Sequence, residues 1–90
     1  MNAVITVIGK DKIGIVAKVS EECAKYKANV TDVTQSILKD DIFVMIMFIN
    51  ISNLTIRLSD LSEILNKLGA NMNLKINVMH ENIFNTMHSI

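Results

Sequence analysis

The residues best suited to chemistry lie in one short segment, Gly9–Val16 (GKDKIGIV), where Lys10 and Asp11 stand between two glycines. Glycines let a backbone turn tightly, and a turn that opens a helix presents peptide N–H groups that favour an anion. Asp11 adds a charge that can meet an ammonium group, so the segment suits a zwitterion. The residues alone leave a plainer interpretation open: Gly9 and Gly14 only end a strand and begin a helix, with Asp11 as a capping group.

The other reactive residue types form no catalytic or metal-binding pattern. His80 and His88 are eight positions apart with Glu81 as the only acidic neighbour, too few ligands for a tetrahedral site. Cys23 lies on an apolar helical stripe without a flanking histidine, which is typical of an inert packing thiol. The acidic pair at 40–41 belongs to a polar turn, where solvation explains it. We therefore expect no catalytic residue, no metal, no cofactor and no enzymatic activity.

Composition excludes several partners. Nine basic residues balance nine acidic ones among 90, so the weak net field gives no reason to expect nucleic acid or an anionic membrane as a partner. The longest apolar run, Ile42–Ile49, is far shorter than the roughly 20 residues of a membrane span, and Met1–Ile8 has no basic export signal. A single cysteine fits a reducing compartment, so we expect a cytoplasmic protein.

Three functions of related folds also lack their residues. A sheet that reads RNA needs stacking aromatics beside basic residues, whereas Phe43 and Phe48 lie in a run without lysine or arginine. An acylphosphatase-like enzyme would need an arginine in the first loop, and Arg57 is the only arginine in the chain. A copper chaperone would need paired cysteines. We reject all three.

Periodicity predicts the elements that position the first loop. Short β-branched or alternating runs indicate strands, and apolar residues three or four apart indicate helices. Gly69 stands where a left-handed helix cap would fit, and Asn53, Thr55 and Ser59 are alternative starts for the second helix. The predicted order is strand 3–8, helix 15–28, strand 30–38, strand 42–51, helix 54–68, strand 72–78 and an amphipathic segment 83–90.

This βαββαβ order predicts an α+β, ferredoxin-like sandwich. Right-handed crossovers place strands one and three inside a four-stranded antiparallel sheet, with two helices on one face and a short C-terminal helix beyond them. The second face is polar on the edge strands but apolar on strand three, to which we assign Met45 and Met47. Either the C-terminal segment, folded back or exchanged, or another subunit should cover this stripe.

The segment 9–35 (GKDKIGIVAKVSEECAKYKANVTDVTQ) resembles the opening of an ACT domain. It has the Gly-x-Asp-x-x-Gly-Ile-Val loop, a helix, and Asn29-Val30 with Asp32 entering the next strand. The likeness extends in element order over residues 2–79, so we divide the chain into an ACT domain, 1–80, and a C-terminal amphipathic extension, 81–90. It is similar to short stand-alone bacterial members of uncharacterised role, including glycine-cleavage-repressor-like proteins.

The resemblance implies a regulatory module that binds an amino acid between the subunits of a homodimer and signals to a separate protein. An adaptor of the same fold that binds no ligand is the alternative. ACT domains are commonly attached to an enzyme or a DNA-binding domain, and the sequence has neither. The implied ligand-binding residues are Gly9, Lys10, Asp11, Gly14, Ile15 and Val16 in the loop, with Asn29, Val30 and Asp32 contributed across the interface.

Overall fold

The computed structural model describes residues 1–10 and 13–88. The predicted order of elements is confirmed, and the C-terminal segment forms a third helix. None of the helices in these two ranges is long and apolar enough to span a membrane. The elements are β1 (Asn2–Lys10), α1 (Ile15–Lys25), β2 (Asn29–Ile37), a single 3-10 turn at Lys39–Asp41, β3 (Ile42–Asn50), α2 (Leu58–Asn71), β4 (Leu74–His80) and α3 (Glu81–His88).

The four strands form one antiparallel sheet in the order β2-β3-β1-β4, which confirms the central place of β1 and β3. The register sets Ile5 opposite Met47 on β3 and opposite Val78 on β4. On β2, Val33 is the partner of Met47, after a bulge between Val30 and Asp32. Side chains of paired residues share a face, so these pairs decide which residues meet the helices.

The helix-side face of the sheet holds the core. Met45 and Met47 are fully buried in the same cluster as Leu61 and Leu65 of α2, and both pair with core residues of β1. Their assignment to the second face was wrong. Because β3 is apolar on both sides, alternation alone could not tell its two faces apart, and the pairing with β1 decides the matter.

Helix α2 begins and ends at residues that periodicity did not identify. Its first turn follows Arg57, whose backbone N–H donates to the Asp60 carboxylate at 3.3 Å, so none of the three predicted N-caps is used. Gly69 lies inside the helix and is buried, where an added Cβ would approach the Leu74 carbonyl oxygen of β4 to 2.8 Å. Close packing therefore explains Gly69, and Asn73, at φ 56°, supplies the left-handed residue.

Helix α3 folds back over one end of the second face. The rings of Phe84 and Phe48 meet edge to face at 5.8 Å, and the Asn2 amide donates to the Glu81 carboxylate at 3.1 Å. The backbone N–H of Asn82 donates to Nδ1 of His80 at 3.1 Å, which caps the helix. A helix of eight residues is marginal alone, so these contacts hold it in place.

Candidate functional site

Gly14 shapes the junction between the first loop and α1. It is the N-cap of the helix with φ 83°, in the left-handed region that residues with a Cβ rarely adopt. Its carbonyl accepts from the Lys18 N–H at 3.0 Å, which begins the helical ladder. Among the described residues, no side chain caps this terminus, where the first N–H groups of a helix need a partner from outside the helix.

A cleft of about 740 Å³ opens beside this helix terminus. One wall is the first turn of α1, and the other is the end of edge strand β2, with β3 beneath. The structure brings Gly14, Ile15 and Val16 of the predicted set together here. The cleft is lined by Gly14, Ile15, Val16, Ala17, Gln35, Ser36, Ile37 and Phe43.

The lining carries no charged side chain among the residues that the structure describes around it. Its polar groups are the helix N-terminus and the Gln35 amide, because Ser36 pairs with Val44 and its side chain lies on the other face of β2. A helix N-terminus favours a carboxylate, and a neutral amide accepts or donates equally well. The cleft can therefore hold the carboxylate of a small zwitterion, whereas an ammonium group would need an acidic residue from elsewhere.

The rest of the predicted loop lies apart from the cleft lining. Lys10 extends to the β2–β3 turn, where its Nζ donates to the Asp40 carbonyl at 2.8 Å. Gly9 faces β4, and an added Cβ there would collide with the Leu74 side chain, so close strand packing explains the residue. Asp11 is outside the described residues.

Asn29 and Val30 line a second cleft, of about 710 Å³, at the opposite end of β2. It lies near the end of α1 and the loop before α2, where Thr55 donates to the Tyr26 carbonyl through both its N–H, at 2.9 Å, and its hydroxyl, at 3.3 Å. Asp32 is exposed, and its carboxylate accepts from the Val33 N–H at 2.9 Å. Within one chain, Asn29 and Val30 therefore lie at the far end of β2 from the cleft at Gly14, and Asp32 lies between the two clefts along the strand.

Sequence reasoning did not single out the β2 and β3 side of the first cleft. Gln35 and Ile37 alternate with Ser36 along β2, and that alternation assigns them to the helix-side face. Alternation alone does not show that this end of β2 runs beside the first turn of α1. Further along α1, burial, with a smaller contribution from Glu22, raises the pKa of the Cys23 thiol from 9.0 to about 11, which disfavours the reactive thiolate.

Comparisons with known proteins agree with this architecture. A UPF0237 protein of Methanococcus maripaludis is 49% identical over 99% of this chain and 98% of its own length. The solved structure of an ACT domain protein from Streptococcus pneumoniae superposes with a TM-score of 0.79 at 38% identity, covering 93% of both chains. The likeness therefore extends to archaeal as well as bacterial proteins.

A more distant solved structure shares the fold alone. The regulatory subunit of aspartate kinase from Thermus thermophilus superposes with a TM-score of 0.64 at 22% identity, over 86% of this chain and 49% of that one. The family model described as the ACT domain matches residues 2–79. On this match and on the full-length likeness to its relatives, the chain belongs to the ACT domain family.

Proposed function

We propose that this protein is a stand-alone regulatory module that binds a small ligand, an amino acid, in the cleft at Gly14 and signals to a separate protein. The observation that carries the proposal is the left-handed start of α1, which no described side chain caps and which opens to a cleft whose described lining is uncharged and largely apolar. A free carboxylate satisfies the helix N–H groups, and the apolar walls accept a side chain. The regulatory part rests on the family, since one structural neighbour is the regulatory subunit of aspartate kinase.

We further propose that the binding-competent form is a homodimer joined through β2. This strand is nine residues long, lies at the sheet edge and is largely exposed, with Asp32 as its only charge. Long, uncharged edges invite pairing with another chain unless they are protected. Pairing across a two-fold axis is antiparallel, so the start of one β2 would lie beside the end of the other.

In a dimer paired through β2, the predicted residues at the start of one β2 would have a role at the partner's cleft. Val30, which pairs with the buried Ile49 and so lies on the helix-side face, would lie beside the partner's cleft, near the partner's Gln35. Asn29 and Asp32 would flank it on the same strand, with Asp32, the partner of Phe48, on the other face. In this proposal residues 1–80 form the sensing domain, 81–90 form an extension, and the free thiol of Cys23 fits a cytoplasmic location.

A thermal-unfolding screen against the proteinogenic amino acids tests ligand binding. A ligand at about 100 times its dissociation constant should raise the free energy of unfolding by about 2.7 kcal/mol. Gln35→Ala should abolish the shift, whereas Thr34→Ala, on the other face of β2, should keep it. If none of the amino acids shifts the transition, the sensing proposal is wrong and the ligand-free adaptor remains.

Mixing two defective variants tests the shared cleft. Val30→Asp and Gln35→Ala should each fail to bind, but a mixed dimer pairs one intact Gln35 with one intact Val30. After unfolding and refolding together, an equal mixture should recover about a quarter of the wild-type capacity by calorimetry, because half the dimers are mixed and one of their two clefts is intact. If the mixture recovers no binding capacity, each cleft is built within one chain.

A further inference from the structure

The cleft at Gly14 has two kinds of wall. Its polar groups, the N–H groups at the start of α1 and the Gln35 amide, suit the carboxylate that all amino acids share. The other side chains of its described lining are apolar, and they face the part of a ligand that differs from one amino acid to the next. These apolar side chains are Ile15, Val16, Ala17, Ile37 and Phe43.

Pairing within the sheet gathers apolar side chains at one end of this cleft. Phe43 on β3 pairs with Ile37 on β2, and Met45, two residues further along β3, pairs with Gln35. Paired side chains share a face, so Phe43 lies beside Ile37, while Gln35 lies about 7 Å further along the strand. Phe43 is only 5% exposed and belongs to the core, so it forms a fixed apolar floor.

The rim of the cleft carries exposed apolar side chains as well. Ile37 lines the cleft with 63% of its surface exposed, and Ile13, which directly precedes Gly14, is fully exposed. An apolar ligand side chain would remove part of this surface from water. A charged or amide side chain would instead lose its own water there and gain no hydrogen bond from the two isoleucines. The rim therefore favours an apolar ligand.

We propose that the cleft is selective for aliphatic amino acids such as valine, leucine and isoleucine, with Ile37 and Phe43 contacting the side chain of the ligand. This inference rests on the proposed function and names the class of its ligand. In the proposed pairing through β2, the partner's Val30 would add another apolar side chain beside the same cleft. Each methylene group that the ligand buries there should strengthen binding about fourfold.

Amino acids matched in shape test this preference. Threonine has a hydroxyl where valine has a methyl group, and asparagine has an amide where leucine has two methyl groups. Titration calorimetry should give valine a dissociation constant on the order of 100-fold lower than that of threonine. Leucine should have at least as large an advantage over asparagine, whose amide is costlier to remove from water. Alanine, which is two carbons smaller than valine, should bind about 15-fold more weakly than valine.

A polar substitution at the rim tests the role of Ile37. Because Ile37 is largely exposed, Ile37→Thr should leave the fold intact while it replaces an apolar wall of the cleft. The preference for valine over threonine should then fall by about tenfold. Leu38→Thr is the matched control, since Leu38 is also apolar, is 55% exposed and lies outside the described lining. This control should keep the wild-type preference.

The outcomes separate this inference from the proposed function. If threonine binds as tightly as valine, asparagine as tightly as leucine, or a charged amino acid more tightly than either, the protein binds an amino acid but the inferred class is wrong. The inference is also wrong if Ile37→Thr and Leu38→Thr show the same preference. If none of the amino acids binds to the wild type, the sensing proposal itself fails, and this inference fails with it.

Discussion

The two faces of the sheet share the same strands but differ in what covers them. On the helix side, Met45, Met47 and their neighbours are fully buried beneath α1 and α2. On the second side, α3 covers Val4 and Phe48, while Ile8 keeps nearly half of its surface exposed.

We expect the difference to separate stability from recognition within one small domain. A closed face contributes its full apolar burial to folding, whereas a half-open face contributes only the part that is already covered, and the rest would be buried only on association. The cleft at Gly14 lies at the edge strand β2, where the helices stop covering the sheet. Substitutions on the two faces should therefore give different kinds of defect.

The largest difference should come from neighbouring residues of β3 that point to opposite faces. Met47→Ala leaves a cavity in the closed core and should lower the free energy of unfolding by about 2 to 5 kcal/mol. Ile46→Ala, on the half-open face, should cost about 1 kcal/mol or less in the isolated chain. Denaturant unfolding at low protein concentration measures both, and equal losses would contradict the assignment of the faces.

A smaller effect should appear as a dependence on pH. The pKa of Cys23 is 9.0 ordinarily and about 11 in the folded chain. Between these values the unfolded chain has lost a proton that the folded chain keeps, so stability is intact below pH 9 and falls as the pH rises. The slope is at most about 1.4 kcal/mol per pH unit, and the loss by pH 11 is on the order of 2 kcal/mol.

The variant Cys23→Ala provides the comparison. It lacks the thiol but keeps every other group that titrates in this range, so its stability should fall less steeply between pH 9 and 11. Chemical unfolding at several pH values gives both slopes. Parallel slopes would show that the thiol is not shielded from water in the folded chain.

Local patterns were sufficient to predict the order of the elements and the central strands. The ligand-binding role of Gly14, Ile15 and Val16 stays a prediction, and these residues lie at one end of the cleft. Alternation identified β2 and β4 because each has one polar side. It could not assign Met45 and Met47, because both sides of β3 are apolar and only pairing with β1 distinguishes them.

The remaining differences have the same physical origin. Gly69 resembled a helix cap in the sequence, yet its lack of a side chain serves contact with Leu74 and Ile76 of β4, the strand that packs against α2 after the chain turns back. Gln35 and Phe43 join the cleft because β2 runs back past α1. Such features depend on tertiary contacts, which a short window of sequence does not contain.

The smallest effect should come from the contact that makes the second face half-covered. Phe84→Ala removes the edge-to-face contact with Phe48, which should cost about 1 kcal/mol because aromatic pairs of this kind contribute about 0.5 to 1.5 kcal/mol. Amide exchange should then become faster in α3 alone, while the β1 and β3 amides keep their protection. Asn85→Ala, at an exposed neighbouring position of the same helix, should leave both rates unchanged. If Phe84→Ala speeds exchange across the whole sheet, α3 is part of the folding core, and the division of the two faces into one that stabilises and one that recognises does not hold.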